Sequence, residues 1–491
     1  MMPSVADLLG VLPELIIMTA ACLVFVLDPI TTPARKDQLA WLSLAALAIC
    51  CGITAAHLEG RTLLFSHLVV IDAYGGFWKL LLYVVTGLTI LLSLAYMKEE
   101  RLVLGEYYGF LLLSLVGMMV MVSANDLLTI YLGTELMSLS LYILAGAKRY
   151  EARSLEAAAK YFVLGAFSSG ILLYGISLLF GVSGSTKLDA IALGIGQTGL
   201  ENPMLLFSMV LLVVGFGFKL AVVPFHMWTP DVYEGSPTSV TAFMAVASKA
   251  ASFAAFLRVF LEALHGLKGD WSGLLIAVCL ATLLIGNLVA IVQTNMKRML
   301  AYSSIAHAGY ALIGVVAAGS SRSSEAAQGL SSVMFYLAVY SFMTLGAFAV
   351  VALLRRNGLE SEEIESFTGL AKRQPVAALL MLIFMISLAG IPPTAGFIGK
   401  FYLFMAAVHS GLTWLAVAAV IFAAISAYYY LRVVMVMYMR EPDPQTTVVP
   451  TLIPSPALTI VLASAIVGVI VLGLFPGPLI QLTTYSLLPL R

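Results

Sequence analysis

Charge is what this sequence has least of. Only 11% of its 491 residues are Asp, Glu, Lys or Arg, whereas a soluble domain carries roughly 25%. Because 61% of the residues are hydrophobic, a soluble globular protein is excluded. The chain has 26 basic and 26 acidic residues and no net charge, which also argues against a disordered or nucleic-acid-binding protein.

Cysteine is scarce as well, and all four cysteines lie inside apolar runs. They show neither the CxxC spacing of a zinc or iron-sulfur site nor an extracytoplasmic pair that suggests a disulfide. The sequence also lacks a Walker loop, a GxGxxG turn between a strand and a helix, a His/Cys metal cluster and a serine nucleophile elbow. The chain alone therefore indicates no cofactor, no metal and no redox centre.

Long apolar runs are what the sequence has instead. A membrane-spanning helix needs about 20 apolar residues. Windows of suitable hydropathy cover residues 8–28, 39–57, 75–97, 107–123, 126–147, 155–181, 203–225, 236–263, 271–293, 299–319, 329–354, 375–408, 412–438 and 455–475. They predict an all-α integral membrane protein with about 14 transmembrane helices. No basic residue precedes the first run, so we expect a retained span rather than a signal peptide.

Two windows contain helix-breaking prolines. Pro224 cannot donate to the carbonyl of Leu220, and Pro392-Pro393 leaves the carbonyls of Leu388 and Ala389 without amide donors in the same way. Unpaired backbone at membrane depth is tolerated only where it faces protein or internal water. Both helices are therefore predicted to be broken beside an internal polar cavity. A shorter apolar stretch, residues 63–71, is predicted to be a strand or an interfacial segment.

The positions of the two breaks suggest an internal repeat. If spans four to eight and nine to thirteen form two units, each unit has its broken helix in fourth place. Because five is odd, the second unit enters the membrane from the opposite side, which is the inverted repeat of many transporters. The predicted divisions are residues 1–104 for helices 1–3, 105–265 and 266–440 for the two five-helix repeats, and 441–491 for helix 14.

Basic residues predict the orientation, because cytoplasmic loops retain Lys and Arg. Fourteen follow odd-numbered spans and five lie on the other side. The first set is Arg35, Lys36, Lys98, Arg101, Lys148, Arg149, Arg153, Lys297, Arg298, Arg355, Arg356, Lys372, Arg373 and Arg440; the second is Arg61, Lys187, Lys268, Arg322 and Arg491. Both termini are therefore predicted to face the extracytoplasmic side.

Four charged residues fall near the middle of predicted spans: Glu135, Lys219, Lys249 and Lys400. A charge at the centre of a transmembrane helix costs roughly 2.5 to 3.5 kcal/mol even on the lenient insertion scale. Their retention needs a reason, either proton transfer or a static salt bridge that fixes packing. The charge pattern favours proton transfer, with Lys249 at the join between the two repeats.

Other charges lie closer to helix ends. Lys79, Lys160, Arg258 and Arg432 are expected to extend their long side chains to the membrane surface. Glu106 lies at the mouth of span four and could serve either in function or in packing.

Two histidines are candidate proton carriers, because imidazole titrates near neutrality. His226 follows the first break, and His307 lies inside span ten among small and hydroxylic residues. The alternative for each is a hydrogen-bonded core residue.

The two broken segments carry a family resemblance. Residues 218–238 read FKLAVVPFHMWTPDVYEGSPT and residues 390–400 read GIPPTAGFIGK. Both resemble signature segments of the antiporter-like membrane subunits of respiratory complex I, and nearly the whole chain follows that pattern. Length and the DVYEG form are most similar to the bacterial N-type branch. The chain ends too early for the long lateral helix of the L type, and Lys400 stands where the M type carries glutamate.

The resemblance implies a function. In the family, the acid of span five modulates the lysine of span seven, the lysine of span eight is the central relay and the charged residue of span twelve faces the exit. These roles carry over to Glu135, Lys219, Lys249 and Lys400. The resemblance also implies a bacterial inner-membrane complex whose other subunits carry FMN, iron-sulfur clusters, the NADH site and the quinone site.

Three alternatives stay open at this point. A subunit of a multi-subunit cation/proton antiporter would share the fold and the lysines but would run without electron transfer. A structural membrane scaffold would use its buried charges for packing alone. A membrane-embedded transferase would need an acid or histidine pair at a headgroup-depth cleft, and the sequence suggests none.

Overall fold

The chain folds almost entirely into helices. The computed structural model describes residues 4–58, 60–100, 102, 104–198, 202–320, 323–356, 359–360, 362–441 and 455–487. Three basic residues counted for the orientation, Arg101, Arg322 and Arg491, lie outside these ranges.

The chain contains 21 α-helices and four short strands within the described ranges. The helices are α1 Val5–Gly10, α2 Leu12–Leu27, α3 Asp37–Ala56, α4 Ala73–Glu99, α5 Glu106–Ser123, α6 Leu127–Ala145, α7 Ala152–Ser183, α8 Leu188–Thr198, α9 Pro203–Leu220, α10 Trp228–Gly235, α11 Thr238–Phe243, α12 Lys249–Arg258, α13 Lys268–Ile291, α14 Met296–Ser320, α15 Ser323–Leu353, α16 Leu370–Arg373, α17 Pro375–Ala389, α18 Ala395–His409, α19 Thr413–Met439, α20 Pro456–Leu474 and α21 Gly477–Tyr485. The strands are β1 Thr62–Leu64, β2 Val69–Ile71, β3 Arg355–Arg356 and β4 Leu359–Glu360.

The helical membrane architecture predicted from hydropathy is confirmed. Within the described ranges, 12 helices are long and apolar enough to cross a membrane, with α11 and α12 counted together as Thr238–Ala263. Shorter apolar helices are α2, α17 and α18. Each predicted window contains one of these helices, except that the longest window holds both α17 and α18. The count of fourteen crossings and the inverted repeat stay predictions.

Both predicted breaks are present. Helix α9 ends at Leu220, Ala221 adopts a left-handed φ of 58°, and the chain becomes helical again only at α10. Helix α17 ends at Ala389, Gly390 has a φ of 84°, and α18 begins at Ala395. A residue with positive φ ends a helix by turning its backbone away, and the following prolines cannot donate to the previous turn.

The short apolar stretch at 63–71, predicted to be a strand or an interfacial segment, contributes to a β-hairpin. Strand β1 pairs antiparallel with β2, and Thr62 lies opposite Ile71. Val69 also forms a bridge with Ala124 in the loop before α6. The hairpin therefore ties together two loops that follow even-numbered spans.

On the opposite face, ion pairs join chain segments that lie in or beside the connections after odd-numbered spans. Asp231 accepts from Lys160 at 2.7 Å and from Arg298 at 2.8 Å. Burial alone would raise the pKa of Asp231, but these two cations hold it below its usual value. Lys372 contacts Glu441 at 2.9 Å, which joins the loops before α17 and after α19. Loops of equal parity therefore meet, as they must if α17 and α18 together make one crossing.

Helices α11, α12, α14 and α15 form the centre of the bundle. Every residue of α11 and α12 is buried, and both α14 and α15 are buried along most of their length. Helices α7, α19 and α20 bury only about a third of their apolar windows. Polar side chains on the central helices are therefore shielded from lipid by the rest of the chain.

Candidate functional site

Four titratable side chains lie in the core of the bundle. Lys219 on α9, Lys249 on α12, His307 on α14 and Lys400 on α18 are between 2 and 4% exposed. The burial predicted for the three lysines and the histidine is therefore found. Glu135 on α6 is only half-buried.

Lys219 lies in the last turn of α9, two residues before the left-handed Ala221. Its ammonium donates to the hydroxyl of Ser138 on α6 at 2.8 Å. Ser138 lies three residues after Glu135, about one helical turn away. The Glu135 carboxylate makes no ion pair with a described residue, and its Oε1 is buried without a hydrogen-bond partner there. Lys219 thus contacts α6 one turn away from Glu135, and it forms no ion pair with that carboxylate.

Lys249 reaches across from α12 to α14. Its ammonium donates to the backbone carbonyl of Ser304 at 2.6 Å and contacts the Ser304 hydroxyl at 2.5 Å. The hydroxyl of Tyr340, on α15, donates to the same Ser304 oxygen at 2.8 Å. The partners of this buried amine are therefore neutral.

His307 lies one turn further along α14, inside a group of tyrosines. Nδ1 is 2.5 Å from the hydroxyl of Tyr336, and Nε2 is 3.1 Å from that of Tyr430. The Tyr430 hydroxyl is also 2.5 Å from that of Ser303. The imidazole ring packs against Tyr340, with ring centroids 5.0 Å apart. His307 therefore packs against the ring of the tyrosine whose hydroxyl donates to Ser304.

Lys400 binds the backbone at the second break. Its ammonium donates to the carbonyls of Leu388 at 3.0 Å and Ala389 at 2.9 Å. These are the two carbonyls that Pro392 and Pro393 leave without an amide donor. The lysine thus occupies the polar site that the helix break creates.

Aromatic contacts connect Lys400 to His307. The Lys400 ammonium lies 4.7 Å from the ring centroid of Tyr310, within cation–π distance. The same ring is 6.0 Å from that of His307. A continuous set of polar and aromatic contacts therefore runs from Lys249 through Ser304, Tyr340 and His307 to Lys400. Among the described residues, no hydrogen bond joins Lys219 to this set.

Two predicted residues lie apart from it. Glu106 forms an ion pair with Arg149, whose side chain is 60% exposed, at the end of α5. His226 is half-buried in the first break, and its Nδ1 has no hydrogen-bond partner among the described residues. The structure therefore brings together Lys249, His307 and Lys400, and leaves these two outside.

The expectation that Lys79 and Arg258 extend to the membrane surface is wrong. Lys79 pairs with Glu14 at 2.6 Å, and both side chains are largely buried. Arg258 is fully buried and grips both carboxylate oxygens of Asp72 at 2.9 and 3.0 Å. In both cases a carboxylate from a distant part of the chain offsets part of the cost of burying the cation. Lys160 does lie near the surface, with a side chain 42% exposed.

Sequence reasoning missed the hydroxyl groups of Ser304, Tyr336, Tyr340 and Tyr430. Tyrosine and serine are common on the packed faces of helices, so their positions alone carry no functional signal. The hydroxylic neighbours of His307 were the one available indication. In the described part of the chain, no group of three or more His, Cys, Asp or Glu could hold a metal ion.

Comparisons with known proteins give consistent results. The family model described as "NADH:quinone oxidoreductase/Mrp antiporter, TM" matches residues 124–426. The chain is 46% identical over 478 residues to NADH-quinone oxidoreductase subunit N 2 of Rhizobium meliloti, covering 97% of each chain. It is 45% identical over 473 residues to subunit N of Trichlorobacter lovleyi, covering 96% of this chain and 95% of the relative.

Solved structures agree on the fold. A chain of respiratory complex I from Thermus thermophilus with bound aureothin matches with a TM-score of 0.79 and 32% identity, covering 96% of this chain and 99% of that one. A chain of the Mrp complex from Dietzia sp. matches with a TM-score of 0.82 and 21% identity, covering 98% and 97%. At that identity, the second match shows a shared fold alone.

Proposed function

Because the chain belongs to the NADH:quinone oxidoreductase/Mrp antiporter family, we propose that it is a proton-translocating membrane subunit of a bacterial NADH:quinone oxidoreductase. Other membrane subunits of the same complex are its partners. The complex carries FMN and iron-sulfur clusters and uses NADH and a quinone, all in other subunits. This chain contributes a path for protons and no redox centre.

One observation carries the proposal: the buried cations fall into two groups. Lys79 and Arg258 each have a carboxylate partner, which is the pattern of a packing device. Within the described ranges, Lys219, Lys249 and Lys400 make hydrogen bonds or close contacts only with hydroxyl, carbonyl or aromatic groups, and of the three only Lys219 has a carboxylate, Glu135, near enough to act on its charge. Burial disfavours the charged form of an amine that lacks a counter-charge. Such an amine can release its proton at a lower cost than a paired one, as a relay requires.

The proposed roles are those that the family resemblance implies, and the contacts support them. Lys219 receives a proton near the first break, under the influence of Glu135. Lys249 passes it to the hydroxyl and imidazole groups around His307. Lys400 releases it at the second break. Because Lys219 and Lys249 share no hydrogen bond among the described residues, that step needs water or a movement of the helices. His226 and Glu106 are proposed to act at the mouths of the path.

Two inverted repeats at residues 105–265 and 266–440 fit this path. Helix α9 with its break is the fourth predicted span of the first unit, and α17 with α18 is the fourth of the second, an order that supports the proposed repeat. Each unit then supplies half of the path, and Lys249 lies on the last helix of the first unit. The proposed location is the bacterial inner membrane, with both termini on the extracytoplasmic side. The excess of Lys and Arg in loops after odd-numbered spans supports that orientation.

Lys249 provides the test. In the assembled complex, Lys249→Ala should lose most proton translocation and the quinone reduction coupled to it. Lys249→Arg should fail too, because arginine effectively never deprotonates. Lys372→Ala is a matched control, since that lysine forms an exposed ion pair at the surface. Full pumping by Lys249→Arg would exclude a protonation relay and leave only a fixed positive charge. Loss of assembly with normal pumping per complex would favour the scaffold.

A further inference from the structure

The helix that carries Lys249 is interrupted at both ends of a short α-helical segment. A π-helical turn, Met244–Ser248, precedes α12, and a second π-helical turn, Val259–Ala263, follows it. A π turn holds more residues than an α turn and is frequent at functional sites. The ten residues of α12 therefore form a short α-helical segment with a wider π turn at each end.

Lys249 is the first residue of α12 and Arg258 is the last. Nine residues at about 100° each place the two side chains roughly half a turn apart, on opposite faces. The contacts agree with this geometry. Lys249 points to Ser304 on α14, whereas Arg258 points to Asp72, directly before α4.

Arg258 makes a directional set of contacts at the end of α12. The two guanidinium nitrogens each donate to one oxygen of Asp72, and Nη2 also donates to the carbonyl of Val122 at 3.2 Å. The guanidinium carbon lies 4.9 Å from the ring centroid of Tyr74. A planar guanidinium paired through two parallel hydrogen bonds fixes direction as well as charge.

Asp72 is itself fixed. It is the N-cap of α4 and accepts from the backbone of Gly75 at 2.8 Å. The other charged groups around Arg258 are Glu262, at 3.6 Å in the following turn, and Arg61, which contacts Glu262 from the hairpin at 3.6 Å. The outer end of α12 is thus tied to the hairpin and to α4.

We propose that Arg258 and Asp72 are positioning residues for Lys249. Their pair sets the rotation of α12 about its own axis, and so directs the ammonium of Lys249 towards Ser304. This inference rests on the proposed role of Lys249. If one π turn gave up its extra residue to the other, α12 would rotate about its axis by about 100° and shift along it by about 1.5 Å. That movement would take Lys249 away from Ser304, and the pair between Arg258 and Asp72 opposes it.

The test replaces Arg258 by lysine, which keeps the charge but loses the two parallel hydrogen bonds. In the assembled complex, Arg258→Lys should lower the number of protons moved per electron and shift the pH at which pumping is half-maximal. The pH dependence is expected to shift because a rotated α12 weakens the contact between Lys249 and Ser304, which itself accepts from Tyr340. Arg440→Lys is the matched control, as that arginine forms an exposed pair with Glu365 at the end of α19.

Asp72→Asn is the second variant, because asparagine keeps the N-cap of α4 and one acceptor. It should change pumping in the same direction as Arg258→Lys. A lower amount of complex with an unaltered pH profile and proton ratio, in both variants, would overturn the inference and leave a structural pair. If Lys249→Ala pumps normally, the proposed function fails and the inference with it. If Lys249→Ala fails while both other variants pump normally, only the inference is refuted.

Discussion

The imidazole Nδ1 of His307 lies 2.5 Å from the hydroxyl of Tyr336, and Nε2 lies 3.1 Å from that of Tyr430. A neutral imidazole has one donor and one acceptor nitrogen, and a tyrosine hydroxyl can fill either role. The ring can therefore change its tautomer without losing a partner. This suits a residue that takes a proton on one nitrogen and releases it from the other.

His307→Gln tests that role. Glutamine keeps a donor and an acceptor but cannot carry a proton, so we expect normal assembly and a loss of most proton translocation. Tyr336→Phe should cost less, since it removes a single hydrogen bond, worth about 1 kcal/mol. Proton uptake by the complex in sealed vesicles measures both. His409→Gln, which changes an exposed histidine bonded to Gln328, is the control. Normal pumping by His307→Gln would make His307 a core hydrogen-bonding residue.

Much of this site was predictable because its signals are local. A lysine inside an apolar run is visible in the sequence, and so is a proline that breaks a helix. The sequence also predicted that the carbonyls of Leu388 and Ala389 are left free by the prolines, but it did not predict that Lys400 donates to them. Local chemistry therefore predicted the lysines, the histidine and both breaks.

The partners of the other cations were not predictable in that way. Arg258 and Asp72 are 186 residues apart in the chain, and nothing near either residue indicates the other. The same holds for Lys79 and Glu14. The positions of Lys79 and Arg258 near helix ends suggested that their side chains reach water, but in the folded chain each one pairs with a carboxylate. The π turns around α12 also have no sequence signature, because all their residues are good enough helix formers.

The pair of Glu14 and Lys79 gives a stability prediction. Lys79→Met leaves the Glu14 carboxylate buried without its cation, which typically costs about 3 to 5 kcal/mol. We expect less assembled complex and a lower thermal unfolding temperature. The double variant Glu14→Met with Lys79→Met should recover most of the loss, because no unpaired charge remains. Normal assembly of Lys79→Met with impaired pumping would instead place this pair in the proton path.

The orientation can be tested independently of proton chemistry. An even number of spans and the positive bias on the opposite side predict that both termini face outwards. A tag after Arg491 should react with membrane-impermeant reagents in intact spheroplasts. A cysteine introduced as Lys372→Cys, in an exposed loop after an odd-numbered span, should react only after lysis. The reverse pattern would mean that the bias was misread, and labelling of both from outside would mean that a span was miscounted.

The last prediction concerns Glu135 and Lys219. In the structure, Lys219 donates to Ser138 instead of to the carboxylate one turn away, so the pair is apart. When the two side chains meet, the carboxylate favours the protonated amine; when they separate, the proton is free to move towards Lys249. We expect Glu135→Gln to assemble but to pump poorly, because that control of the amine is lost.

Adding Lys219→Ala to Glu135→Gln should cost much less than the two single losses combined, since the residues act as one unit. Rates of proton translocation per assembled complex, measured for the two single variants and the double variant, give the coupling. Ser138→Ala separates the neutral contact from the ionic one, and should slow pumping less than either single change. A cross-link that holds α6 and α9 in contact should stop pumping in a folded protein. Independent, additive losses would refute the coupled pair, and Lys219 would then act without Glu135.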